Sequence, residues 1–343
     1  MSLPKTIREY RSNGEGYQNL MLVESLLELP KSTEVLVKIH AVSLQYRDLL
    51  VASGHYRGIK PNVVVGSDMA GKIVIAGAEV KGWKAGDRVC ANFSLDHLDG
   101  DTTAEIFATS LGGPVDGVLR EYMNVPSHSL VHIPEHLSYE EGSTLPCAAL
   151  TAYNALNGPK PIKGGDTVLI LGTGGVSIFG LQIALASGAE VIVTSSSDEK
   201  LKVAQQIGAH HIINYTTTPN WDQEVLKITG GRGVDHTIEV GGPGTITKSS
   251  NATRMVGYIH VVGRVAEGDS GVSTLEITKK AHIYRGVLIG SVAQFNAMNR
   301  LFKARNIKPV IDKVFSFEQA IDAYAHLESQ KHVGKVVIKV SKV

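Results

Sequence analysis

From residue 166 onward the chain keeps an alternation that few folds accommodate. "DTVLILG" (166–172), "AEVIVTS" (189–195), "HHIINY" (210–215) and "GVDHTIEVG" (233–241) are short apolar runs. Between them lie "GVSIFGLQIALASG" (175–188), "SDEKLKVAQQIG" (197–208) and "WDQEVLKITG" (221–230), which have the length and residue mix of helices. Neighbouring parallel strands need a crossover of about a dozen residues, usually a helix. The alternation therefore predicts βαβ units and an α/β architecture with a parallel, doubly wound sheet. The helix over 175–187 is apolar nearly all round and is expected to be buried on more than one side.

Ahead of residue 145 the texture is different. "EVLVKIHAVSL" (34–44), "AGKIVIAGAEV" (70–80) and "DRVCANF" (87–93) are rich in Val and Ile and separated by turns such as "GWKAGD". Short strands with crowded turns predict a barrel-like β-domain. The stretch 94–117 is polar and Gly-containing and reads as a long surface loop. The tail, "FSFEQAIDAYAHLESQKHVGKVVIKV", predicts an amphipathic helix and a final strand returning to the first domain.

Composition narrows the function classes. With 43% apolar and 20% charged residues, a chain of 343 residues can bury one large or two ordinary cores. A net charge of +1 without charge blocks argues against nucleic-acid or membrane-surface binding, which need clustered cations. No apolar run approaches a membrane span, and the start "MSLPKTIREYRSNG" lacks the apolar core of a signal peptide. Cys90 and Cys147 are too few for a disulfide framework. A soluble, reduced, cytoplasmic protein is expected.

The chemistry starts at "LILGTGGVSIFG", which puts Gly172, Gly174 and Gly175 between strand and helix. Glycine lets the backbone turn tightly and a pyrophosphate approach, with the N–H groups of the helix start facing the phosphates. The third glycine of the full dinucleotide fingerprint falls at Ser177, a small residue that still allows close packing. About 20 residues later an acid would bind the ribose 2′-hydroxyl of NAD. The strand tip there is Ser195, in "VIVTSSSDEK", which does not repel an anion. Lys200 follows in the first helical turn, where the macrodipole disfavours a cation unless an anionic ligand lies beside it. This predicts a site for the 2′-phosphate of NADP(H). A capping box of Ser196 and Glu199 with a solvated Lys200 is the plain alternative, and both can hold.

These segments, with "GWKAGDRV", "LPCAALTAYNAL", "LGTGGVS", "SSSDEKL", "GAHHIINY" and "HVGKVVIKV" in order, resemble the medium-chain dehydrogenase/reductase superfamily over essentially the whole chain. The resemblance implies a GroES-like β-barrel catalytic domain (1–148, with a return over 289–343) and a Rossmann domain (149–288). It further implies a dinucleotide in the cleft between them, contacting Thr151, Thr173, Val176, Ser196, Val262 and Gly263, and a homodimer. In the zinc alcohol dehydrogenases of the superfamily, a Cys in "C-x-x-D", a His in "G-H-E" and a later Cys hold the metal. Here Gln45 and Ser67 stand at the first two positions and only Cys147 matches, while 94–117 contains no Cys of a structural zinc lobe. No zinc is expected, Cys147 reads as a small buried apolar residue, and His40, His55 and His97 lack ligand-like spacing.

What remains resembles the zinc-independent quinone oxidoreductase branch. Its "N-Y-x-D" corresponds to Gln45-Tyr46-Arg47-Asp48, a later Tyr matches Tyr56, and its phosphate-binding Lys and Tyr match Lys200 and Tyr215. This implies NADPH-dependent reduction of a quinone, an activated alkene (enone) or a carbonyl. Tyr46 is the candidate for contacting the acceptor oxygen or relaying its proton, with Gln45 and Arg47 beside it. Alternatively, Tyr46 stacks on the nicotinamide and Arg47–Asp48 is a structural pair. The pocket walls are expected from 45–60, 94–117 and 265–295. A zinc-free NADP-dependent alcohol or aldehyde dehydrogenase and a non-enzymatic NADPH-binding protein are the competing readings.

Overall fold

The computed structural model describes residues 3–263, 265 and 271–341. It divides into two compact units: Met1–Leu150 with Ile289–Val343, and Thr151–Leu288. Among the described residues no helix is long and apolar enough to cross a membrane.

The first unit opens with eight strands: β1 (Thr6–Ser12), β2 (Met21–Leu26), β3 (Glu34–Ser43), β4 (Val63–Val64), β5 (Asp68–Ala76), β6 (Arg88–Ala91), β7 (Tyr122–Pro126) and β8 (Leu130–His132). Residues 6–26, for which the sequence analysis makes no assignment, form the antiparallel pair β1–β2, with β4 on the other edge of β1. β3 is buried along most of its length, from Val35 to Val37 and from Ile39 to Ser43, and pairs antiparallel with both β5 and β7. A helix, Tyr46–Ala52, follows β3 directly.

The second unit carries β9 (Thr167–Leu171), β10 (Glu190–Ser195), β11 (His211–Asn214), β12 (Val234–Glu239), β13 (Thr253–Val261) and β14 (Ile283–Gly286). All five pairings are parallel, in the order β11-β10-β9-β12-β13-β14. This is the doubly wound dinucleotide-binding order, with its switch point between β9 and β12. Helix Gly175–Ala186 buries Ile178, Phe179, Leu181 and Ile183, as its all-round apolar character predicts. Its close approach to the sheet is made by Gly180, where a Cβ would come within 2.6 Å of Ile238. The small residue expected in that role, Ser177, is buried and donates its hydroxyl to the Leu171 carbonyl at 2.7 Å.

The chain then re-enters the first unit as β15 (Ile311–Ser316) and β16 (Lys335–Lys339), and β16 pairs antiparallel with β3. Phe315, Phe317, Tyr324 and Ile338 of this return join Tyr10, Val37, Ile39 and Val63 in one core. The surface-loop reading of 94–117 needs correction. Ser94 and Ser110 are buried, bridged as isolated β-partners and hydrogen-bonded at 2.8 Å, and Leu111 is fully buried. The loop also anchors the return: Val292 and Ala293, opening helix Val292–Arg305, donate their N–H groups to the carbonyls of His97 and Leu98. Its two ends are thus held by internal hydrogen bonds, while Asp96, residues 98–101 and residues 103–105 stay exposed.

Candidate functional site

In the second unit residues 172–176, Ser195, Tyr215, Val262 and Gly263 lie at the carboxyl ends of β9, β10, β11 and β13, with Lys200 in the helix after β10 and Thr151 in the helix that opens the unit. Gly172 follows β9 with φ 73°, a conformation that penalises any Cβ. Gly174 caps helix Gly175–Ala186 with no side-chain hydrogen bond, and a Cβ built on it would meet nothing within 4 Å. Packing therefore does not require glycine at 174. It leaves the backbone N–H groups of a 12-residue helix on an open surface, where an anion can approach. Thr173 is buried and Val176 half-buried in the same turn. Val262 and Gly263 both donate their N–H groups to the Glu239 carbonyl, and a Cβ on Gly263 would strike the Val240 carbonyl at 2.4 Å. Thr151 is buried, and its hydroxyl has no hydrogen-bond partner among the described residues.

Ser195 ends β10, buried, and its hydroxyl accepts the Ser197 N–H at 3.4 Å. The cap of the next helix is displaced from expectation. Ser197, not Ser196, accepts the Lys200 N–H and donates to Glu199, while Ser196 stays exposed. The run of three serines offers three possible caps, and Ser197 is the one with extended backbone directly before Asp198. Hydrogen bonding to Ser197 holds the Glu199 carboxyl below its ordinary range. Asp198 takes a hydrogen bond from Asn214 at 2.7 Å. Tyr215 donates its N–H to the Ser195 carbonyl and keeps its ring exposed.

Glu239, which the sequence reading passes over, ends β12 fully buried. It accepts the N–H groups of Gly241 and Gly242 and the hydroxyls of Thr245 and Ser249. An acid directly before a glycine-rich turn, "EVGGPGT", is the signal that could have found it.

In the first unit Gln45, Ser67 and Cys147 converge, as their alignment implies, but on a carboxylate. Gln45 Nε2 donates to Asp68 Oδ2 at 2.6 Å, Ser67 Oγ to Asp68 Oδ1 at 2.7 Å, and the Cys147 N–H to Asp68 Oδ2 at 2.9 Å. Burial pushes the Asp68 carboxyl up to about 7, against the pull of Lys335. Burial likewise lowers the Lys335 ammonium, which donates to the Leu44 carbonyl. Asp48 is also fully buried, raised by desolvation and eased by Arg47. Gln45 caps the helix that follows, its N–H donating to Asp48 Oδ2 at 2.7 Å. On that helix Tyr46 and Arg47 part company. Tyr46 is exposed and lines a pocket of about 360 Å³ with Leu49, Leu50 and Ser53, while Arg47 turns inward.

Two family models match the chain: an alcohol dehydrogenase GroES-like domain over residues 31–135 and a zinc-binding dehydrogenase domain over 175–304. A zinc-type alcohol dehydrogenase-like protein of Schizosaccharomyces pombe is 48% identical, the match covering 90% of this chain and 91% of that one. The chain belongs to the medium-chain dehydrogenase/reductase superfamily. A putative alcohol dehydrogenase of Sinorhizobium meliloti superposes with a TM-score of 0.92 at 36% identity, covering 99% of this chain and all of that one. An NAD-dependent alcohol dehydrogenase of Sulfolobus acidocaldarius is 32% identical, with 90% and 92% of the two chains covered. The human quinone oxidoreductase is 27% identical over 90% of each. The superfamily is one of nicotinamide-dinucleotide-dependent oxidoreductases. Its GroES-like and Rossmann domains are the two sheet systems described above.

Membership makes zinc the group to test against these residues, and they do not fit it. A catalytic zinc takes three protein ligands of Cys, His or carboxylate type. The superfamily positions here hold a carboxamide, a hydroxyl and one thiol that burial keeps protonated. Among the described residues no group of three or more His, Cys, Asp or Glu could hold a metal ion. The dinucleotide, by contrast, fits. The open Gly174 face and the uncapped helix start would hold its pyrophosphate, and Ser195, Lys200 and Tyr215 would hold its adenosine ribose. Of the expected pocket walls, 264 and 266–270 lie outside the described residues.

Proposed function

We propose that this chain is a zinc-independent, NADPH-dependent oxidoreductase that transfers hydride to a quinone or an activated alkene. The observation that carries the reading is the Asp68 cluster. The positions that hold zinc in the metal-dependent members are tied to one another through a buried carboxylate. Bound NADPH supplies the hydride. A conjugated carbonyl already accepts hydride readily, so orientation and a hydrogen bond to its oxygen suffice. A plain alcohol must lose a proton as its hydride leaves, a step usually assisted by a Lewis acid. Tyr46 is assigned to the acceptor oxygen, with its exposed ring at the start of its helix. Gln45 commits one of its two amide N–H groups to Asp68.

The choice of NADPH over NADH rests on Ser195 at the strand tip and on Lys200 and Tyr215 near it. Asp198 and Glu199 lie in the same turn, but their carboxylates are engaged by Asn214 and Ser197. The test is titration of both cofactors into wild type, Lys200→Ala and Ser195→Asp. Lys200→Ala is expected to weaken NADPH by about ten- to a hundred-fold and NADH hardly at all. Ser195→Asp is expected to favour NADH. Wild type preferring NADH would overturn the cofactor assignment. For the reaction, quinones and enones are expected to turn over far faster than simple alcohols, without zinc in elemental analysis. Tyr46→Phe is expected to lower kcat more than NADPH affinity.

The NAD-dependent Sulfolobus relative favours a second reading, oxidation of an alcohol or aldehyde with NAD. Faster alcohol oxidation than enone reduction after chelation would select it. We also infer a cytoplasmic homodimer acting on a small molecule, which sedimentation of the purified protein tests.

A further inference from the structure

Arg47 stands apart from the other buried charges of the first unit. Its side chain is 11% exposed, and Nε, Nη1 and Nη2 are all buried without a hydrogen-bond partner among the described residues. The ion-pair partner, Asp48 Oδ1, lies 3.7 Å from Nη1, beyond hydrogen-bond distance. Asp48 spends its other oxygen on the Gln45 N–H. Arg8, Arg11, Arg232 and Arg254, by contrast, each reach a carboxylate within 3.0 Å. A dry guanidinium without hydrogen bonds is costly, because the ion pair and the rings beside it do not replace the water its five N–H donors gave up.

Three neighbours keep this guanidinium where it is. The Tyr56 ring lies 4.4 Å from Cζ and the Phe93 ring 4.8 Å. Behind Nη2 is Gly113, where a Cβ would sit only 2.4 Å away, so a larger residue would push the group aside. Rings stacked on the group leave its edge, which carries the N–H donors, as the surface for a partner. A carboxylate matches that edge with two coplanar oxygens against two parallel N–H groups. The charges around it accept an anion. Arg47 and Lys335 face Asp48 and Asp68, and burial favours the neutral form of both carboxyls, which lessens the negative charge beside the guanidinium. Half-buried Tyr56 itself lies on a loop between Gly54 and Gly58, which both hold positive φ.

We propose that Arg47 binds a carboxylate on the small-molecule substrate, so that 2-alkenoate acids belong to the substrate class. The alkene half of this statement rests on the reading under Proposed function; the carboxylate half does not. The test is calorimetric titration of trans-2-butenoate, with trans-2-butenamide as the uncharged control, into wild type, Arg47→Gln and Arg47→Lys without dinucleotide. Butenoate is expected to bind wild type more tightly than the amide. Arg47→Gln is expected to lose about ten- to a hundred-fold for the acid and little for the amide, with Arg47→Lys between. Gly113→Ala, which displaces the guanidinium, is expected to weaken the acid as well and serves if Arg47→Gln fails to fold. Equal binding of acid and amide, no binding of butenoate at millimolar concentration, or unchanged affinity in a folded Arg47→Gln would overturn the proposal. Failure of wild type to bind butenoate, with intact reduction of neutral enones, sinks this inference alone. Butenoate binding without any reduction of quinones or enones sinks the other.

Discussion

Asp68 and Glu239 are both fully buried carboxylates at strand ends, one in each unit, yet they hold different things together. The donors to Asp68 come from residues 45, 67 and 147, and its countercharge from residue 335. The donors to Glu239 come from residues 241, 242, 245 and 249, all within one turn and the helix after it. The first is a tertiary fastening whose partners have no other reason to meet. The second is a local cap whose partners are neighbours in sequence in any case. Burial alone therefore says little about what a charged group contributes; the origin of its partners says more.

The most severe way to break this contrast is Asp68→Ala. It removes one of the two carboxylates facing the buried Lys335 and takes an acceptor from three segments, so a loss of about 3–5 kcal/mol is expected in chemical denaturation. Adding Lys335→Met is expected to restore part of that loss, because removing both charges costs less than removing one. An additive double variant would show that the two groups do not interact.

Acid gives the next largest separation, because burial works with opposite sign in the two units. In the second, desolvation and the neighbouring His236 hold His260 down to about 3, and burial lowers His236. The unfolded chain protonates histidines near pH 6.5, so the stability of that unit falls as pH drops from 6.5 towards 3. Asp235 adds to the loss: burial opposes its ionisation, but Arg232, the Thr167 amide and Arg254 outweigh it and hold the carboxyl well below its ordinary range. In the first unit Asp68 takes up its proton near 7, earlier than an unfolded aspartate, so its burial cost is relieved as pH falls from 7 to about 4. His40, lowered to about 4 by burial, offsets part of this gain. Hydrogen exchange between pH 7 and 4.5 is expected to show β9–β13 opening before β3 and β5. The reverse order would remove the contrast.

Glu239→Gln is milder, at about 1–3 kcal/mol, because one acceptor oxygen survives and the affected donors are local. Denaturation should show it, with exchange increased chiefly over 240–250. Smallest is Val256→Asn, which relieves a β-branched residue at φ 58° on an exposed stretch of β13. A gain of about 1 kcal/mol is expected in the same assay, with no change in cofactor affinity.

These residues also mark how far the sequence can be read. The parallel sheet is legible because its strands and helices differ in period and length, and Gly172 because a tight strand-to-helix turn demands it. Gln45, Ser67 and Cys147 are recognisable singly by position. Their meeting on Asp68 is not, since it depends on three segments and on a lysine from the far end of the chain. The Arg47 setting is harder still: Tyr56, Phe93 and Gly113 each look like ordinary loop or strand residues, and only the closed structure brings them against one guanidinium. The cap at Ser197 illustrates a finer limit, because equivalent side chains in a row are distinguished only by backbone angles.

The discontinuity of the first unit has a consequence for how the protein is made. β3 gains its partner β16 only when residues 335–339 have been synthesised, some three hundred residues after it. Until then the ribosome holds a half-finished sheet with an open edge, while the second unit, continuous in sequence, already has every strand it needs. The order of assembly is thus expected to invert the order of the chain. The middle folds first, and the two ends wait, exposed to wrong pairing, for the last strand to close them.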